Sequence, residues 1–213
     1  MMNFSKKALF GAMLIASSAS AFALDNAPLT VSGVVVPAAC TPAFTGGGDV
    51  DYGTIPSASL NAGAVTALAD MPVPYTIHCD APIAIGTSWT DSRTGTAPGT
   101  SYNFGLGKQG ANNIGWYIIT HDTTASTGDG ARVDVIYSPN GVTGWAVPTA
   151  ATENAAHDGS VLAFAPPGTL VPGAYTDVAG VLTVSAAINP TNGLDLTTAI
   201  TLDGLSTMTV RYL

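Results

Sequence analysis

Apolar residues recur at every second position in short runs bounded by glycine and proline, the pattern of β-strands that bury one face. The first run spans residues 29–36 and is stopped by Pro37; the second spans 50–55, between the Gly46-Gly47-Gly48 turn and Pro56. Further strands are predicted over 73–79, 82–89, 102–106, 114–120, 131–137, 161–164, 178–188 and 199–213. In the 131–137 run, alternation places Val133, Val135 and Tyr137 on one face. Residues 57–72 suit a loop or one short helical turn, and the Gly/Thr/Pro-rich stretch 91–101 is a surface loop. No stretch sustains a capped 3.6-residue period, so helix content is low, and many short strands at this spacing indicate a β-sandwich.

The chain opens with Lys6 and Lys7, an apolar run over 8–16 and small residues ending in Ala21-Phe22-Ala23. This is the pattern of a secretory signal peptide over residues 1–23, cleaved after Ala23. The apolar run falls short of the ~20 residues that cross a bilayer, so no membrane insertion is expected. Residues 24–213 show no internal repeat or linker and are expected to form a single domain. Beyond the leader, only Arg93, Lys108, Arg132 and Arg211 stand against 14 acidic residues. That balance argues against nucleic acid and anionic membranes as partners. Export to an oxidising compartment makes one bridge of the only two cysteines, Cys40 and Cys79. Neither a C-x-x-C spacing nor a cysteine-histidine cluster supports a catalytic or metal-binding pair.

Motifs for chemistry are weak. Gly105-Leu106-Gly107-Lys108-Gln109-Gly110 spells G-x-G-x-x-G, but β-like sequence follows where a dinucleotide site needs a helix, so a hairpin turn is the better reading. His121-Asp122 and His157-Asp158 lack any nucleophile elbow, and neighbours on a strand face opposite ways. Asp122, Asp129 and Asp134 fit no calcium-loop spacing, and Trp89, Trp116 and Trp145 read first as packing aromatics with a carbohydrate-stacking surface as the alternative. No enzyme activity, metal or cofactor is expected.

With the strands placed, the segment from Cys40 to Cys79 resembles the opening of bacterial chaperone-usher pilins. The residues that carry the resemblance are Val34-Val35-Val36-Pro37-Ala38-Ala39-Cys40, then Val50, Tyr52, Gly53 and Ile55, then Leu60, Gly63 and Tyr75-x-Ile77-x-Cys79. The last residues, Met208, Val210 and Tyr212 before Leu213, are similar to the alternating pilin end with its penultimate tyrosine. Residues 172–184 are similar to late strands of spore-coat U-like subunits, and the whole pattern most closely resembles an uncharacterised family of fimbrial-like exported bacterial proteins.

The resemblance implies an all-β, immunoglobulin-like (pilin-type) sandwich that lacks its final strand and is completed by donor-strand complementation. It implies a structural subunit of a fimbrium with a role in adhesion. The implied partners are a periplasmic chaperone, an outer-membrane usher, neighbouring subunits and a host or surface glycan. The implied route runs through the periplasm to the cell surface. Met208, Val210 and Tyr212 would border the groove and pair with the chaperone, with the Leu213 carboxylate against basic chaperone residues. The donor segment would comprise Leu24, Ala27, Leu29 and Val31. Only residues 24–28 precede Leu29, so either Leu29 and Val31 belong to the donor or the extension is too short to complete a neighbour. A subunit unable to donate would be a tip adhesin or a soluble binding module, with the loops 91–101 and 121–130 as its contact surface.

Overall fold

A computed structural model describes residues 29–34, 39–148 and 152–213. Its contacts divide the chain into Met1–Val36 and Pro37–Leu213. In the first unit, residues 29–34 belong to no strand, and Leu29, Val31 and Val34 are exposed. The expected signal peptide, and Leu24 and Ala27 of the expected donor segment, lie outside the described residues.

The second unit is built from seven principal strands: β1 (Cys40–Phe44), β2 (Met71–Asp91), β3 (Gly115–Asp122), β4 (Asp134–Ser138), β5 (Val161–Ala165), β6 (Ala174–Ile188) and β7 (Ser206–Tyr212). The 21-residue β2 organises the rest. In its first half Val73, Tyr75, Ile77 and Cys79 are buried while Pro72, Pro74, Thr76 and His78 are exposed, a strict period of two. This half lies between β1 and β6, and β6 continues to β3 and the short strand Thr152–Asn154. The second half lies between β5 and β7, with β4 beyond β5. All these pairings are antiparallel. β2 therefore belongs to both layers, and Asp80, Ala81 and Pro82 are the exposed corner where its register with β6 shifts.

The core fills the space between the layers. Tyr75, Ile77, Ile85, Phe104, Ile119, Phe164 and Leu182 are almost wholly enclosed. Trp89 stands edge-on to Phe104, with centroids 6.3 Å apart, and Phe104 stacks on Tyr117 at 5.4 Å. Tyr75 lies across its register partner Gly180, where an added Cβ would meet its hydroxyl at 2.7 Å. Only glycine fits there.

The two strands expected over 73–79 and 82–89 are one, because Pro82 bends the chain at an unpaired corner instead of ending it. Pro72 and Pro74 are tolerated because β2 extends beyond the end of β1 at Tyr75, so their missing N–H groups break no ladder. Strands were expected at 29–36 and 50–55, yet 29–34 and 50–55 join no ladder, and only Ser206–Tyr212 of the final run is a strand. The alternation in these segments records which face is apolar, not whether a partner strand is at hand.

Candidate functional site, an apolar groove beside the last strand

An open cavity of about 900 Å³ lies where the second layer fails to cover the first. Its floor is the inner face of the first layer: Leu182, Val184, Ala186 and Ile188, alternate residues of β6, with Val73 of β2 and Ile119 of β3. One wall is the segment 48–57 and the other is 194–206. Val50, Tyr52, Ile200 and Leu202 turn partly into the core from these walls. Among the described residues, no backbone–backbone hydrogen bond involves residues 49–55 or 196–202. Two segments outside any strand, 49–55 with Gly53 at positive φ and 196–202 opening on a turn, thus face each other across an apolar floor, each lacking the ladder that its alternation is suited to.

The second wall is tied at both ends. Asp195 and Gln109 bond reciprocally, the Asp195 N–H donating to Gln109 Oε1 at 2.7 Å and Gln109 Nε2 donating to the Asp195 carbonyl at 2.8 Å. At the other end Arg93 donates from Nε to Asp203 Oδ2 at 2.9 Å and from its terminal nitrogen to Oδ1 at 2.6 Å. That two-pronged hydrogen bonding holds the Asp203 carboxyl below the ordinary range and raises the Arg93 guanidinium. The Asp203 N–H also donates to the Leu106 carbonyl at 3.1 Å. Tyr117, which also lines the cavity, has its phenol pushed up to about 12 by burial and stays neutral. The floor offers no charged group; it suits an extended apolar strand better than a reacting substrate.

The wall at Ser206 runs on into β7. The Leu213 N–H donates to the Ala84 carbonyl and the Ser92 N–H to the Leu205 carbonyl. In an antiparallel ladder this parity turns the backbone groups of Ser206, Met208, Val210 and Tyr212 away from β2, towards an edge that no strand occupies among the described residues. Of the residues expected to border the groove, Met208 is buried, Val210 is half-buried against the core, and Tyr212 and Leu213 are about half exposed. They continue the β7 edge past the groove wall. Cys40 and Cys79 are joined by the disulfide and stand directly opposite each other in the ladder. Tyr212 Oη accepts the Cys40 N–H at 2.9 Å, bringing the bridge and the last strand together.

The wall 194–205 was not anticipated as part of a site, although Leu194, Leu196, Ile200 and Leu202 carry a period-two signal. The remaining motifs do not converge. Gly105–Gly110 spans a turn into the small hairpin of Lys108–Gln109 and Asn112–Asn113. Asp122 accepts the Thr124 and Ala125 N–H groups, Asp129 those of Thr176 and Asp177, and Asp134 pairs with Arg132. Among the described residues no three His, Cys, Asp or Glu side chains gather as a metal site. Trp89 is in the core, Trp116 is half-buried on β3, and Trp145 packs on Ile136, Ala163 and Ala165, so the tryptophans form no common surface.

Two opposed antiparallel layers, a bridge from the first strand to the second and an apolar groove beside an edge strand define an all-β sandwich. Residues 29–130 match the family described as "Protein of unknown function (DUF1120)". The chain is similar to Protein GltF of Escherichia coli K12, 30% identical with 99% of this chain and 98% of that protein covered. It is also similar to the uncharacterized protein YhcF of the same organism, 29% identical with 94% and 98% covered. The chain belongs to the family of these proteins. A chain in the solved structure of a chaperone-usher pilus aligns with a TM-score of 0.38 and 14% identity, over 89% of this chain and 97% of that one.

Proposed function

We propose that this protein is a non-enzymatic fimbrial-type subunit, exported to the periplasm and assembled at the cell surface by strand addition. The observation that carries the reading is the groove of about 900 Å³, with an apolar floor and two walls that lack ladder bonds. An added strand would supply both: main-chain hydrogen bonds for affinity and alternate side chains for register. Supporting it, Leu29 and Val31 are exposed in a segment that has alternation but no strand. In this reading residues 24–31 of one copy enter the groove of the next, with Ala27, Leu29 and Val31 on the buried face and Leu24 leading. Eight residues reach roughly 26 Å when extended. Before assembly an uncovered groove and edge invite aggregation, so a periplasmic chaperone fills the site first and an outer-membrane usher passes the subunit on. Adhesion to a surface glycan would then be a property of the assembled fimbrium.

The experiment is expression of the exported chain with and without a fimbrial chaperone. Recovery only as a chaperone complex or a polymer is expected. A chain that is monomeric and unfolds cooperatively by itself, with no uptake of strand or chaperone, overturns the proposal.

A further inference from the structure

We infer that the entering strand hydrogen-bonds to β7 alone and is halted at Tyr212, because the edge of β1 that meets β7 there is closed. The inference rests on the strand-addition reading above and concerns which edge receives the strand and where it ends.

The two edges differ in what their backbones offer. The Asp80 N–H donates to the Ala39 carbonyl, which makes that pair hydrogen-bonded and, by alternation, the pairs at Thr41 and Ala43 as well. Cys40, Pro42 and Phe44 therefore turn their backbone groups away from β2. The Cα separation of 4.0 Å between Cys40 and Cys79 agrees, since non-hydrogen-bonded pairs are the narrower kind. Of the three outward positions, the Cys40 N–H is already taken by Tyr212 Oη and Pro42 has no N–H to give. Only Phe44 keeps a free donor, and the chain turns immediately after it through Gly46 and Gly47 at positive φ. A proline and a capped N–H are how a sheet edge is protected from pairing.

β7 presents the opposite. Ser206, Met208, Val210 and Tyr212 set four N–H and four C=O groups in one row along the unoccupied edge. Ser206 also belongs to the groove wall, so this row continues the groove. The occupant is the segment 24–31 of a second copy, whose Leu29 and Val31 are exposed and whose alternation matches the floor. A strand advancing along β7 meets the Tyr212 ring where its hydroxyl is fastened to Cys40. It cannot pass without breaking that bond, and the stop fixes the register in which its side chains enter the groove.

The test is hydrogen exchange at single-amide resolution on the chain beginning at Gly33, which keeps the whole second unit but has no donor segment to fill a neighbour's groove, alone and with excess synthetic peptide of residues 24–34. Exchange at Met208 and Val210 should slow by about tenfold or more while Phe44 is unchanged. In Tyr212→Phe, which keeps the ring, Cys40 should exchange several-fold faster in the free chain. With peptide bound, protection should now spread to Cys40. Protection of Phe44 equal to that of Met208, or protection confined to the groove walls, overturns the inference and leaves strand addition standing. Peptide that changes no amide anywhere overturns strand addition by this segment, and the inference with it.

Discussion

The imidazole of His121 stands edge-on to the Tyr75 ring, centroids 5.9 Å apart at 76°, and neither of its nitrogens has a hydrogen-bond partner. Full burial pushes this histidine down to about 4. The unfolded chain, with histidine near 6.5, then binds the extra proton between roughly pH 6.5 and 4. Stability is complete above that window and falls as the pH drops through it, by about 3 kcal/mol from this residue. Urea unfolding at pH 7, 5.5 and 4 should show the loss. His121→Phe should flatten the slope, and an unchanged slope would mean that His121 does not titrate there.

The Cys40–Cys79 bridge closes a loop with a sequence separation of 39. In the chain-entropy model that stabilises the fold by about 4 kcal/mol. Replacing both cysteines by serine should lower the urea midpoint accordingly, without changing far-ultraviolet circular dichroism in the absence of denaturant.

Arg93 and Asp203 clamp one end of the 194–206 wall from the surface. Arg93→Ala should leave global stability nearly unchanged while speeding protease cleavage and amide exchange within residues 196–205. High salt should reproduce part of the effect in the unmodified chain, because Asp203 is exposed and Arg93 partly so. Cleavage at the same rate in both proteins would mean that the wall is held by Leu106 and Gln109 alone.

Tyr212→Ala removes both the ring and its bond to Cys40. It should abolish capture by the chaperone while the disulfide still forms, as read by co-purification and by thiol labelling. Undiminished co-purification would show that the β7 edge is recognised without Tyr212.

Much of this architecture is legible in residue order. Val73, Tyr75, Ile77 and Cys79 announce a half-buried strand, and two cysteines behind an expected export signal point to the bridge that joins Cys40 and Cys79. What could not be read is pairing, which is set by distant segments. Pro82 looks like a stop but is a corner, because the bend falls where β2 changes layer. Val50 and Tyr52 look like strand residues but only line a wall. The groove was expected beside Met208, Val210 and Tyr212, whereas its walls are 48–57 and 194–206, and β7 contributes its edge. His121 carried no signal of burial, since a histidine in an alternating run is equally at home on either face.

In the strand-addition proposal this fold holds a place for one strand, and residues 24–31 supply it. Light scattering on the chain beginning at Leu24, compared with a chain beginning at Gly33, tests it most directly. The longer chain should grow into polymers while the shorter one does not. The shorter chain should take up the 24–34 peptide with a rise in Tm. Two stable monomers with identical melting, indifferent to the peptide, would contradict it.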